Sequence, residues 1–222
     1  AVGAEETLIQ LNGVDVPVTR TAVDTWLPFY TPAVPIQSDD GYEAAEVDAI
    51  RAYIEPGDHV VVVGGGLGVT AVTAARVAGG NGHVTVFEPS RTAISVCART
   101  ITYHNLDDIV WIEHASIGAP QNSCFTYGPQ DDVRRIPYDR IPVDTDVLEM
   151  DCEGEELPIL QHMTIRPRVV LVETHGNHNA VRDVLTERGY RIDSVIDDRV
   201  ASAEGDAGGD RTHIRAVHPD AA

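Results

Sequence analysis

A cluster of glycines follows a short apolar run in the first third of the chain. Gly64, Gly65, Gly66 and Gly68 come directly after the run 60–63, which consists only of valine. Such β-branched runs are typical of parallel strands that are buried on both faces. Glycine permits positive φ and close approach of a ligand to the backbone, and ligands of open α/β sheets bind beyond the carboxyl ends of the strands. We therefore predict that these four glycines line a ligand site.

An acid ends the next apolar run, VTVFEPS. Glu88, followed by Pro89, lies 24 residues after Gly64. A carboxylate at the end of a second strand can accept hydrogen bonds from both hydroxyls of an adenosine ribose, which occurs in NAD and in S-adenosylmethionine. The dinucleotide pattern requires a small residue where this chain has Val69. The sequence therefore favours a nucleoside cofactor without a pyrophosphate, held by Glu88 and Pro89.

A dense group of acids lies in the stretch DVLEMDCEGEELPIL. Asp151 and Glu153 follow an apolar run and precede a helix, so they are predicted at the mouth of the cofactor site. There, a carboxylate can bind the methionine ammonium group of a cofactor or act as a general base toward an acceptor hydroxyl. For Glu155 and Glu156 we favour a role at the helix N-terminus, where the macrodipole favours acids.

A histidine and an acid end a later strand in the stretch VLVETHG. Glu173 and His175 join Asp151 and Glu153 as candidate catalytic residues, with His175 as a base or substrate contact because imidazole titrates near neutrality. His178 lies three residues further on, but the sequence shows no third clear ligand. We therefore predict no metal site.

The elements that must position these residues alternate between strand and helix. Apolar periodicity predicts strands at 60–63, 83–87, 109–113, 146–150, 169–173, 190–196 and 213–217, and helices at 43–54, 70–78, 90–103, 156–162 and 179–188. Ser123–Tyr127 is a further candidate strand. Alternation of this kind predicts an α/β fold with a mostly parallel, doubly wound sheet, and the last two strands predict an antiparallel edge.

The first forty residues differ from the rest of the chain. Asn12-Gly13 between two apolar runs predicts a β-hairpin, and the proline-rich stretch 25–40 predicts an irregular strap or a substrate lid. The predicted organisation is a hairpin and strap over 1–40 and a catalytic domain over 41–222.

Composition limits the partners of the protein. The net charge is −19, and all 16 basic residues are arginine. Such a surface repels nucleic acid and anionic membranes and resembles the acidic proteins of halophilic microbes. The N-terminus does not resemble a signal peptide and no apolar stretch could span a membrane, so we expect a cytoplasmic protein. Three dispersed cysteines predict no disulfide framework.

Several motifs together resemble the FkbM-type S-adenosylmethionine-dependent methyltransferases. The run D-x-L-x-x-D-x-E-G-x-E starts at Asp146, and PGD before the first core strand, FEPS, HASIG and RPRVVLVETHG are also similar to that family. The resemblance implies the Rossmann-like class I methyltransferase fold with seven strands, S-adenosyl-L-methionine as cofactor, and O-methylation of a small-molecule or glycan-like acceptor. It also implies site roles: cofactor contacts by Gly64, Gly66 and Glu88, adenine contacts by Ala115 and Ser116, and a position near the methionine end for Asp151.

Two positions depart from the family pattern. The family usually has an acid two residues before its first glycine, where this chain has Val62, and often a lysine where this chain has Glu149. Glu43 and Glu46 are candidates to replace the missing acid. These departures keep open a non-catalytic nucleoside-binding or scaffold protein on the same fold, and Glu88 also fits a second alternative, an NAD-linked oxidoreductase. The second lacks the Tyr-x-x-x-Lys pair, since the chain has no lysine.

Overall fold

The computed structural model describes residues 6–19, 38–118, 133–152, 154–197 and 211–220. Its centre is a seven-stranded sheet with the order β11-β12-β10-β9-β4-β5-β6. These strands are β4 (His59–Val63), β5 (His83–Phe87), β6 (Val110–Glu113), β9 (Val147–Met150), β10 (Val169–His175), β11 (Arg191–Asp197) and β12 (Arg211–Val217).

Six of these strands run in one direction, and β12 runs in the opposite direction. β4 pairs in parallel with β5 and with β9, and β10 and β6 extend the parallel set on either side. β12 runs antiparallel to β10 and to β11, which forms the edge. The predicted α/β class, parallel sheet and antiparallel edge are therefore confirmed. Because parallel strands all end on one side, the residues that follow β4, β5, β9 and β10 meet there.

Five helices cover both faces of the sheet: α1 (Ala44–Tyr53), α2 (Val69–Ala78), α3 (Arg91–Tyr103), α4 (Glu156–His162) and α5 (His178–Glu187). Side chains alternate along a strand, so Val60 and Val62 pack with α1, α2 and α3, whereas Val61 and Val63 pack with α4 and α5. Residues 60–63 are fully buried or nearly so, which is why the sequence shows an unbroken apolar run.

The N-terminal hairpin packs onto the α1–α3 face. β1 (Glu6–Leu11) and β2 (Val14–Thr19) pair antiparallel around Asn12-Gly13, as predicted, and the short β3 (Ser38–Asp39) pairs with β1. The inward residues of the hairpin belong to the same apolar cluster as α2 and α3. The proline-rich strap, apart from its last residues, and the candidate strand Ser123–Tyr127 lie outside the described residues.

A further sheet of two short strands was not predicted. β7 (Ala115–Ile117) pairs in parallel with β8 (Arg134–Ile136) just beyond the end of β6. Its sequence signal is weak, since each strand has only three residues and β8 is largely exposed. In the described part of the chain, no helix combines the length and apolarity that crossing a bilayer requires.

Candidate functional site

The glycine turn joins β4 to α2. Gly64, Gly66 and Gly68 have φ angles of +100°, +47° and +89°, a region that favours glycine. The amide of Gly68 donates to the carbonyl of Gly65 at 2.8 Å and closes the turn, and α2 begins at the next residue. The backbone conformation is by itself a sufficient reason for glycine at these three positions.

Packing of the protein against itself explains most of the bare Cα atoms. A Cβ on Gly64 would lie 1.8 Å from the carbonyl oxygen of Asp151, and one on Gly65 would lie 2.4 Å from Cγ1 of Val86. A Cβ on Gly68 would come within 3.3 Å of Cys97. The missing side chains of these glycines allow close contact between the turn and neighbouring elements, which is a reason for glycine that the sequence pattern does not show. Contact of the turn with a cofactor stays a prediction.

Glu88 follows β5 and points into the protein beneath the turn. Its side chain is buried, with 3% of the residue exposed. One carboxylate oxygen accepts from the amide of Gly66 at 2.9 Å and the other accepts from the amide of Ser90 at 2.6 Å. Burial raises the pKa of Glu88 from 4.5 to about 7, although these amides act to lower it. Because a carboxylate has about four acceptor positions, the two amides leave capacity for ribose hydroxyls.

The predicted adenine contacts lie next to Glu88. Ala115 and Ser116 are buried in β7. The hydroxyl of Ser116 has no hydrogen-bond partner among the described residues, and a buried hydroxyl without a partner is costly. His114 fixes the chain here, because its Nε2 lies 3.0 Å from the carbonyl oxygen of Pro89.

The candidate catalytic residues Asp151, Glu173 and His175 meet at the ends of β9 and β10. Nε2 of His175 lies 3.3 Å from a carboxylate oxygen of Glu173 and 3.6 Å from one of Asp151. Asp151 and His175 are partly exposed, whereas Glu173 is buried. The structure therefore brings together three of the four predicted catalytic residues. Glu153 lies outside the described residues.

Glu156 is a site residue whose role the sequence argument missed. Its side chain is completely buried, and Oε1 accepts from the amides of Cys152 and Gly154 at 3.3 and 3.0 Å. The same oxygen lies 3.2 Å from Nδ1 of His175. Burial acts to raise the pKa of Glu156, but the bonds from His175 and Gly154 outweigh it and hold that pKa below its ordinary value. The sequence signal for this role is an acid at the first position of a helix, two residues after Gly154.

A second group of acids lies deeper, between α1 and β10. Glu46 and Glu173 are both buried and share a hydrogen bond, so that burial and the neighbouring carboxylate raise the pKa of Glu46. Burial also acts to raise the pKa of Glu173, but hydrogen bonds from His175 and Glu46 hold it below its ordinary value. Burial raises the pKa of Glu43 to about 7. The candidates for the missing acid therefore face the site.

The two departures from the family pattern are both buried. Val62 has no exposed surface and packs in the apolar cluster on the α1 face. Glu149 leaves β9 on the same face, and burial together with Asp151, Glu43 and Glu173 raises its pKa well above 4.5. Acidic groups thus approach this face from α1 and β9 even though β4 contributes none.

These residues fit S-adenosylmethionine. Ser116 offers a buried hydroxyl that no described residue uses, Glu88 retains acceptor positions, and Asp151 and Glu43 supply carboxylates on the side where a positively charged methionine end would lie.

Comparisons with known proteins agree with this fit. The family model described as methyltransferase FkbM domain matches residues 57–192, which is more than half of the chain. A search of curated protein sequences found no match.

Several solved structures have similar folds. TYW2 from P. horikoshii, solved in complex with MeSAdo, has a TM-score of 0.58 at 12% identity over 97% of this chain and 73% of its own. TrmK from M. capricolum, in complex with S-adenosyl-homocysteine, has a TM-score of 0.54 at 8% identity, over 78% of this chain and 67% of its own. Precorrin-6y C5,15-methyltransferase from Geobacter metallireducens has a TM-score of 0.51 at 12% identity, over 83% of this chain and 90% of its own. At these identities the likeness shows the fold, which is that of class I methyltransferases.

Proposed function

Because this chain belongs to the methyltransferase FkbM domain family, we propose that it methylates a hydroxyl oxygen of a small-molecule or glycan acceptor. The cofactor is S-adenosylmethionine, which supplies, when bound, a methyl group made electrophilic by the sulfonium. The observation that carries the choice of oxygen is the contact between Glu156 and His175, since a hydroxyl acceptor must lose a proton and this pair provides a base.

The cofactor is proposed to lie along the ends of β4, β5 and β7. Glu88 would accept from the ribose hydroxyls, and Asp151 would lie near the methionine end. The other proposed contacts are Gly64, Gly65, Gly66, Gly68, Pro89, Ala115 and Ser116. The buried, unpaired hydroxyl of Ser116 supports the adenine position.

His175 is proposed to accept the acceptor's proton at Nε2. The Glu156 carboxylate faces Nδ1 at 3.2 Å, so it favours the tautomer with hydrogen on Nδ1. Nε2 is then the nitrogen that would take the proton, and the imidazolium so formed would donate to Glu173. Nε2 lies at the strand ends, beside Asp151 and Glu173. Both carboxylates would stabilise the imidazolium that forms, and Glu153 lies two residues after Asp151 in the sequence. The protein would thus contribute the orientation of donor and acceptor and the removal of the proton from the acceptor hydroxyl.

The test compares variants of this pair with a matched histidine. His175→Gln and Glu156→Gln are assayed for transfer of a tritiated methyl group to a panel of hydroxylated small molecules and glycans, with His162→Gln, an exposed position at the end of α4, as control. Loss of a general base costs about 10²- to 10⁴-fold in rate, whereas calorimetric affinity for S-adenosylhomocysteine should be unchanged. A full rate in His175→Gln, or label transfer only to nitrogen acceptors, contradicts O-methylation through this base.

We also propose that the protein works in concentrated salt inside the cell. The lysine-free composition and the net charge of −19 support this, because salt screens self-repulsion, with a Debye length of about 3 Å at 1 M. The melting temperature should rise between 0.1 M and 2 M KCl. A falling melting temperature would exclude the adaptation.

A further inference from the structure

Three buried side chains from three elements meet on the face of the sheet that α1 covers. Glu46 comes from α1, Glu173 from β10 and His213 from β12, directly opposite Glu173 in the antiparallel pair. Nδ1 of His213 lies 3.4 Å from Oε1 of Glu46 and 3.8 Å from Oε2 of Glu173, and the three ligand atoms lie within 4.8 Å of one another. Two atoms that bind one metal at about 2.1 Å with tetrahedral angles are about 3.4 Å apart. The separations of 3.4 and 3.8 Å from His213 are thus close to those of a ligand set.

Glu149 gives a second observation that points to a cation beside these three residues. Only 2% of its surface is exposed, and its Oε2 has no hydrogen-bond partner among the described residues. It leaves β9 on the same face as Glu173 leaves β10, and the charged groups that act on it most are Asp151, Glu43 and Glu173. A buried carboxylate oxygen without a donor is costly, and a cation beside the triad would relieve that cost.

We propose that Glu46, Glu173 and His213 bind a divalent metal ion of the Mn²⁺ or Zn²⁺ type. Two carboxylates and one imidazole suit these ions, since carboxylates are good ligands for manganese and imidazole is a good ligand for zinc. The ion would tie α1 to β10 and β12. These three residues lie far apart in the chain, and only the fold brings Glu46 and His213 to Glu173, so the sequence shows no third ligand.

The other oxygen of Glu173 is a poorer position for the ion. Oε1 faces the guanidinium of Arg211 at 3.4 Å and His175 at 3.3 Å, so a cationic side chain already lies beside it. The ion is therefore assigned to the Oε2 side, with His213.

A third cluster, His59 with His83 and Asp144 at the opposite end of β4, is less suited to hold a metal. There the ring of His59 already contacts the hydroxyl of Thr85 at 3.0 Å, and the Asp144 side chain is 68% exposed.

The experiment titrates Mn²⁺ into the full chain after treatment with a chelator, without cofactor or acceptor. Calorimetry measures affinity, and the loss of the free-ion electron paramagnetic resonance signal counts bound ions. We expect one site, with at least about tenfold weaker affinity in His213→Gln and Glu46→Gln, which change one ligand each with little change in volume. His175→Gln is the matched control, because it removes the imidazole on the other oxygen of Glu173 and should leave Mn²⁺ affinity unchanged.

Circular dichroism confirms that each variant is folded. Two results overturn the proposal: the absence of Mn²⁺ and Zn²⁺ binding by the unmodified chain, and loss of binding in His175→Gln but not in His213→Gln or Glu46→Gln, which would move the ion to Asp151. Because no methyl donor is present, the outcome is independent of whether the protein methylates an acceptor.

Discussion

Replacing Glu88 by glutamine tests the electrostatics of the cofactor site. Burial raises the pKa of this carboxyl from 4.5 to about 7, so the folded protein holds the proton more tightly than the unfolded chain does. Such a group stabilises the fold at low pH, and that stabilisation is lost as the pH rises toward and through 7. Between pH 5 and pH 8 the loss amounts to about 2.5 kcal/mol, at 1.36 kcal/mol per pKa unit. Glu88→Gln cannot titrate and should lack this loss.

The assay is urea unfolding at pH 5, 6, 7 and 8 in constant salt. The decline in the free energy of unfolding between pH 5 and pH 8 should be about 2.5 kcal/mol smaller in Glu88→Gln than in the unmodified protein. Glu187→Gln, which removes one carboxyl from the exposed end of α5, controls for the change in net charge. Parallel pH profiles for Glu88→Gln and the unmodified protein would refute the reasoning, because they would mean that burial does not hold the proton on Glu88.

Cofactor affinity should follow the same ionisation. In the proposed cofactor site an ionised Glu88 would accept hydrogen bonds from the ribose hydroxyls, and with a pKa of about 7 the ionised fraction is about tenfold larger at pH 8 than at pH 6. Calorimetric affinity for S-adenosylhomocysteine should therefore rise about tenfold over this interval in the unmodified protein. In Glu88→Gln the affinity should be weaker and lack this rise.

Two further predictions concern the architecture of the site. Gly64→Ala should destabilise the protein by at least about 2 kcal/mol more than Gly57→Ala in urea unfolding. Both positions have φ near +100°, but only at Gly64 would the Cβ overlap the carbonyl of Asp151. Equal losses of unfolding free energy in the two variants would show that the contact between the two loops is unimportant. Ser90→Ala should cost about 1 kcal/mol of unfolding free energy, since its hydroxyl caps α3 by accepting from the amide of Ala93; an unchanged midpoint would argue against the cap.

The main elements were predictable because local pattern and tertiary environment agree. The strand 83–87 and the helix 156–162 have the predicted bounds, and β4 and α2 differ by one residue at their start. These segments are bounded by turns or caps and carry strong apolar patterns. β7 and β8 were missed because three-residue strands have too few side chains to show a period.

The site was only partly predictable, because sequence position does not reveal which neighbours fill a space. Strand ends correctly placed Glu88, Asp151 and His175 on one side of the sheet. The sequence could not show why Gly64 must lack a side chain, because a Cβ there would overlap the carbonyl oxygen of Asp151, which follows a different strand. The contact between Glu156 and His175 likewise depends on how α4 packs against β10.

A crystal structure of the protein with S-adenosylhomocysteine tests the central claim most directly. The account predicts that both ribose hydroxyls lie within hydrogen-bond distance of the Glu88 carboxylate, that the adenine lies beside Ser116, and that the sulfur faces the space next to Nε2 of His175. A nucleoside bound away from Glu88, or a sulfur separated from His175 by protein, would contradict it.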